Sequence, residues 1–167
     1  AVGWQDGGLT TWCDGEKPFE EATVHSSTVT CAAWHPSGKR LAVGDSAGVV
    51  SVWACDKQGR LSLACTLSTG PMAVAGSAVS ALTFRTGGGS QQAFPFYVGF
   101  AGGGVAAGED TGEQLEECAV VEGGISDAYY FEERDSLVVL TASGLAVHLC
   151  QQPTSANKLE AAGQIKL

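Results

Sequence analysis

The sequence predicts an all-β protein built as a β-propeller, with about three full four-stranded blades and one partial blade in this chain. Three observations carry that reading. Short β-rich runs are punctuated by 23 glycines at the spacing of strand-joining turns. The same order of four strands recurs along the chain. Helical periodicity surfaces only weakly, around Glu113–Glu117 and Asn157–Ala162, in stretches that are short and poorly capped.

The first segment, residues 1–25, supplies three strands of a partial blade at Ala1–Trp4, Leu9–Cys13 and Pro18–His25. Residues 26–70 form the clearest unit. Val29–Trp34 turns at His35-Pro36-Ser37-Gly38 into Leu41–Gly44, and Asp45-Ser46-Ala47-Gly48 leads to Val49–Trp53. A third turn at Asp56–Gly59 precedes Leu61–Leu67. Residues 71–122 repeat the order in divergent form, with strands at Ser77–Arg85, Phe96–Phe100, Val105–Gly108 and Gln114–Val121. Residues 123–167 repeat it again at Ile125–Phe131, Ser136–Thr141, Leu145–Gln151 and Lys158–Leu167. Comparable strand starts at Val29, Val79 and Ser126 lie 50 and 47 residues apart, slightly above the ~40–45 usual for such repeats. Turn insertions account for the excess.

Third strands such as Val49–Trp53 are apolar on both faces, as strands covered by neighbouring sheets should be. The fourth strands alternate, with Leu61, Leu63, Cys65 and Leu67 in one and Leu159, Ala161, Ile165 and Leu167 in the other, so each is expected to keep one side wet. Four-stranded sheets of this kind stack radially, and closure takes ~4–8 of them. The chain is therefore expected to be part of one propeller in a larger protein, and an open sandwich is the competing architecture. Gly87-Gly88-Gly89-Ser90 reads as the remnant of a longer loop.

Composition narrows the function classes. Hydrophobic residues make up 44% and charged residues 16%, the profile of a soluble globular chain. Net charge is -9, and the basic residues are scattered singly apart from Lys39-Arg40. Without clustered cations to displace counterions, a nucleic-acid partner is not expected. No apolar run approaches a membrane span, and the start of the chain has no signal-peptide pattern. The six cysteines, at 13, 31, 55, 65, 118 and 150, show no zinc-type spacing and read as reduced thiols in a reducing compartment.

The stretch from His25 through Val29-Thr-Cys-Ala-Ala-Trp-His-Pro-Ser-Gly38 to Val49-Val-Ser-Val-Trp53 resembles a WD40 repeat almost throughout. That resemblance implies a structural hydrogen-bond network joining a His before the first strand, an Asp in the second turn, a Ser or Thr, and the closing Trp. Asp6, Trp12, His25 and Trp53 are the structural positions it picks out. Asp6 lies six residues before Trp12, matching the pattern; six before Trp53 stands Ala47, so the network is not expected to form there, although Asp45 and Ser46 are close by.

A narrower resemblance runs through Ala1-Val-Gly-Trp4, the His25–Trp53 repeat, Asp56-Lys-Gln-Gly-Arg60, Ala81-Leu-Thr-Phe-Arg85, Phe96-Tyr-Val-Gly-Phe100 and Ala128–Leu140. In order and spacing these are similar to the N-terminal propeller of the intraflagellar transport protein 140 family, subunits of the intraflagellar transport A complex. The resemblance implies a non-catalytic scaffold in retrograde ciliary transport and in entry of membrane cargo. It also implies a place in the cilium or flagellum and basal body, on the cytoplasmic side. The implied partners are other subunits of that complex, transport-train neighbours and membrane-cargo adaptors.

The residues themselves offer no catalytic, cofactor or metal site. His25, His35 and His148 read as structural, without a nucleophile elbow beside them. Gly102-Gly-Gly-Val-Ala-Ala-Gly108 lacks the helix that a dinucleotide fingerprint needs and reads as a turn. The acidic pairs Glu20-Glu21, Glu109-Asp110, Glu116-Glu117 and Glu132-Glu133 read as solvated, with an acidic patch for a basic partner as their functional alternative. Phe94-Pro95-Phe96 and Tyr129-Tyr130 read as core rather than as contact hot spots. Two other functions stay open: a vesicle-coat subunit, and a propeller enzyme whose active residues lie in blades outside this chain.

Overall fold

The computed structural model describes residues 1–11, 19–21, 24–70, 77–86, 93–153 and 155–167. Trp12, Cys13, Gly87–Ser90 and parts of the expected strand at Pro18–His25 lie outside the described residues. The first sheet joins β1 (Val2–Gly3), β2 (Leu9–Thr11) and β3 (Phe19–Glu21). The second joins β4 (Val29–Trp34), β5 (Arg40–Asp45), β6 (Val50–Cys55) and β7 (Leu61–Leu67). In the third stand β8 (Val79–Phe84), β9 (Pro95–Phe100), β10 (Gly104–Glu109) and β11 (Glu116–Val120). The fourth comprises β12 (Ile125–Phe131), β13 (Ser136–Thr141), β14 (Leu145–Gln152) and β15 (Ser155–Lys166).

Among the described residues every pairing of these strands is antiparallel and between consecutive strands, and one isolated parallel bridge joins Ser68 to Gln114. A single 3-10 turn, Glu132–Arg134, is the helical element among the described residues. The weakly periodic stretches at Glu113–Glu117 and Asn157–Ala162 contribute to β11 and β15. The leading strand of each four-stranded sheet packs on the sheet before it, β4 against β1, β8 against β4, and β12 against β8. This is the radial packing of propeller blades.

Among the described residues three apolar clusters lie between the sheets. One gathers Leu9, Leu41, Val43, Trp53 and Leu61 between the first and second sheets. Another gathers Val50, Val52, Leu67, Val79, Phe96 and Phe100 between the second and third. The last places Tyr97, Val105 and Cys118 against Ile125, Leu137 and Leu149. The middle strands are covered on both sides, as their uninterrupted apolar character requires.

The joints share one device. At the start of each four-stranded sheet the first strand carries a bulge: Val29 pairs with Asp45 but Cys31 with Gly44, Val79 with Phe100 but Ala81 with Gly99, and Ile125 with Thr141 but Asp127 with Leu140. The extra residue is hydroxylic each time, and its Oγ donates to the carbonyl of the second-strand residue: Thr30 to Gly44 (3.1 Å), Ser80 to Gly99 (3.1 Å) and Ser126 to Leu140 (3.0 Å). A bulge reverses which face successive side chains take. The β-branched residue before it therefore points back to the preceding sheet, while the residue after it points forward.

There the β-branched side chain meets a glycine. A Cβ on Gly3 would lie 2.1 Å from Val29 Cγ1, one on Gly44 2.4 Å from Val79 Cγ1, and one on Gly99 2.7 Å from Ile125 Cγ2. Each of these glycines is the seat for the next sheet's leading side chain.

The fourth strands depart from the sequence reading. A bulge in β7 pairs Trp53 with Leu63 but Val52 with Cys65. Leu61 and Leu63 thus share the face of Trp53, while Cys65 and Leu67 share the face of Val50. The four apolar residues do not line one dry face. Leu61 and Leu67 are buried at opposite ends and on opposite faces, and Leu63 is exposed. β15 behaves alike: its bulge separates Leu159, which is buried, from Ile165, which is 69% exposed. A period-2 pattern cannot reveal this, because a bulge shifts the phase without leaving a gap in the alternation.

Candidate functional site

The densest polar constellation is buried between the first and second sheets. His25 precedes β4 and is 4% exposed. Its Nδ1 lies 2.9 Å from Asp45 Oδ2 and its Nε2 2.7 Å from Ser51 Oγ, while Trp53 Nε1–H donates to the same Oγ at 2.8 Å. With hydrogen on Nδ1, His25 donates to Asp45 and the Ser51 hydroxyl donates to Nε2, so every member has a partner. Asp45 Oδ1 accepts from the backbone N–H groups of Ala47 and Val49, each at 2.9 Å. The carboxylate therefore closes the turn as well as holding the imidazole.

His25 and Trp53 stand in this network together. Ala47 does not prevent it, contrary to the sequence reading. Asp45, the last residue of β5, supplies the carboxylate from two positions earlier than the expected turn site. Asp45, Ser51 and Trp53 are placed on one face by the β5–β6 register, in which Val43 pairs with Ser51 and Leu41 with Trp53. Asp6 is exposed, and its Oδ1 accepts from Gly8 N–H at 3.0 Å. Trp12 lies outside the described residues. Close approach also fixes the entry to His25: Gly7, at φ +85°, lies where a Cβ would come 2.1 Å from the His25 carbonyl oxygen.

A second polar joint ties the second sheet to the third. Arg40 Nε–H donates to Asp110 Oδ2 at 2.6 Å, and Phe94 N–H donates to Asp110 Oδ1 at 2.8 Å. The guanidinium carbon sits 4.5 Å from the centre of the Phe94 ring. His35 packs edge-on against Phe84 and Phe94, and this burial, with Arg40 nearby, holds its imidazole below the usual value. Asp110 is buried, so it is not the solvated acid that its pairing with Glu109 suggested. The aromatic doublets also divide: Phe96 and Tyr130 are core, whereas Tyr129 is 63% exposed.

Between the third and fourth sheets Arg85 donates from Nε to Asp135 Oδ1 (3.0 Å) and from Nη2 to Asp135 Oδ2 (2.6 Å), and Tyr130 O–H donates to Asp135 Oδ1 (2.7 Å). Asp135 adopts φ 44°, the left-handed conformation that brings its carboxylate back over the turn. Arg85 also borders a cleft of about 660 Å³ that is lined further by Tyr97, Glu109, Glu113, Cys118 and Leu159. Burial pushes the Cys118 thiol up to about 11, so it is not a thiolate at neutral pH. Cys31 and Cys65 are raised to about 11 for the same reason.

Among the described residues no three His, Cys, Asp or Glu side chains converge as a metal-binding group. No helix among them is long and apolar enough to cross a membrane. His25, Asp45, Arg40, Asp110, Arg85 and Asp135 are all engaged in joints between or within sheets. Sequence reasoning missed Asp45, Ser51, Asp110 and Asp135 as structural groups. The available signal was the strand register, which places Asp45, Ser51 and Trp53 on a common face.

Stacked four-stranded antiparallel sheets, the second of them carrying a His–Asp–Ser–Trp network, define a WD40-type β-propeller architecture. Residues 1–71 match the family model described as the IFT140 first beta-propeller. The match spans β1 to β7, and so contains the whole His25 network and the Gly3 and Gly44 seats.

Proposed function

We propose that these blades belong to a larger propeller, divided here at 1–25, 26–70, 71–122 and 123–167, that acts as a non-catalytic scaffold in the intraflagellar transport A complex. It serves retrograde ciliary transport and the entry of membrane cargo, in the cilium or flagellum and at the basal body on the cytoplasmic side. Its partners are other subunits of that complex, transport-train neighbours and membrane-cargo adaptors, with no nucleic acid. The match of residues 1–71 to the IFT140 first beta-propeller carries this reading.

The chemistry of the blades supports the scaffold role. Their buried ionisable groups hold neighbouring strands together, and the Cys31, Cys65 and Cys118 thiols are kept protonated by burial. Asp6, Trp12, His25 and Trp53 are assigned structural roles, with no catalytic, cofactor or metal ligand among them. Affinity isolation of the tagged complete protein from ciliated cells tests the proposal. Recovery of the other transport-complex subunits is expected; recovery of vesicle-coat proteins without them would replace it with the coat reading.

A further inference from the structure

The series of glycine seats stops at the fourth sheet. Gly3, Gly44 and Gly99 each receive a β-branched side chain from the next sheet. The bulged pairing of Ile125 with Thr141 and Asp127 with Leu140 places Leu140 at the equivalent position. The neighbouring third-strand position changes in the opposite sense. Leu9, Val50 and Val105 pair with the three glycines, whereas Ala146 pairs with Leu140. On this face the large side chain stands where the seat should be.

The rest of the face mixes exposed apolar side chains with Asp127, His148 and Glu160. Tyr129 and Phe131 are exposed, and their rings pack edge to face at 4.8 Å. Ile165 is exposed on the same side, opposite Ala146. Ser136 alternates onto this side with Val138 and Leu140; its Oγ is buried and has no hydrogen-bond partner among the described residues. Ser51, a buried hydroxyl at the first joint, is satisfied by His25 and Trp53, whereas Ser136 shares its lack of a partner with Thr11 of the partial first sheet.

We propose that this face is covered by a further four-stranded blade of the same propeller, through a joint of reversed polarity. Leu140 is the projecting side chain, and the incoming blade presents a glycine or alanine at its leading first-strand position. That blade also supplies a hydrogen-bond partner for Ser136 Oγ. Continuity with three successive blade-on-blade joints selects a blade as the occupant. The side chain at Leu140 selects a small residue, because a valine or isoleucine there would collide with it as a Cβ on Gly44 would with Val79. The inference rests on the reading of these sheets as part of a larger propeller.

Cys150 reports on the joint, since it lies on this face beside His148, with Sγ 3.7 Å from Nε2. Its labelling by N-ethylmaleimide is followed by peptide mass spectrometry in the 167-residue chain and in the complete protein. Labelling is expected to be about tenfold slower in the complete protein, and Leu140→Ala is expected to restore most of that rate by loosening the joint. Buried Cys118 staying unlabelled shows that the fourth sheet remains packed on the third.

Slower or unchanged labelling of Cys150 in Leu140→Ala overturns the reversed polarity while leaving the covering blade in place. Equal labelling of the two wild-type proteins overturns the larger-propeller reading itself. Protection that appears in the 167-residue chain as its concentration rises identifies a second copy as the occupant and overturns the proposal.

Discussion

The second and third sheets build the same geometry from different chemistry. In the second, Asp45, Ser51 and Trp53 join His25 through directional hydrogen bonds. By register their counterparts in the third are Phe100, Ala106 and Gly108. Phe100 is fully buried, and a Cβ on Gly108 would lie 2.9 Å from the Phe96 ring and 2.8 Å from Leu115. Aromatic volume fills the space that the network occupies next door.

The turns are satisfied in different ways as well. Asp45 Oδ1 accepts from Ala47 and Val49 N–H in the second sheet, and Ser77 Oγ accepts from Gly102 N–H in the third. In the fourth, Thr141 Oγ1 accepts from Leu145 N–H. A blade needs a filled back face and a satisfied turn; it does not need one particular set of residues. This explains how the later repeats lose the closing tryptophan and keep their four strands.

That comparison can be broken experimentally. Phe100→Ala should have the largest effect, about 4 kcal/mol of lost stability in urea denaturation, because the cavity opens between two sheets and cannot collapse without separating them. A loss under about 1 kcal/mol would mean that the third sheet does not rely on aromatic filling. Asp45→Ala should cost about 3 kcal/mol, since it leaves His25 Nδ1 and two turn amides without their acceptor in a buried site. Should it prove neutral, the network would be incidental to the second sheet's stability.

Gly44→Ala should cost about 2 kcal/mol through collision with Val79, and Val79→Ala in the same chain should recover part of that loss. A double-mutant cycle measures the coupling. Strict additivity would show that the glycine is needed for its backbone freedom alone and not as a seat.

Much of the fold was legible because strands announce themselves locally. Val29–Trp34, Leu61–Leu67, Ile125–Phe131 and Ser136–Thr141 have the bounds that apolar runs and turn residues predict. The network was only half legible. His25 and Trp53 are marked by their place in the repeat, but the carboxylate comes from Asp45, and a motif counted back from Trp53 arrives at Ala47. The side of the sheet on which a residue lies depends on pairing, which motif spacing does not encode.

Asp110 taught the same lesson for charge. Its neighbour Glu109 suggested a solvated pair, while Arg40, seventy residues away, determines that it is buried.

The sequence by itself determined the all-β class, the four-strand repeat and the strand-joining turns, because these depend on side-chain alternation and backbone preference over a few residues. Tertiary structure alone decided the phase of each strand. Bulges at Thr30, Ser80 and Ser126 turn one side chain back and the next forward, and those in the fourth strands divide apolar residues between opposite faces. It also decided that Gly3, Gly44 and Gly99 are seats and that Leu140 is not. The physical reason is that a seat exists only between two sheets: Gly3 and Val29, Gly44 and Val79, and Gly99 and Ile125 belong to different repeats and meet only when the blades stack.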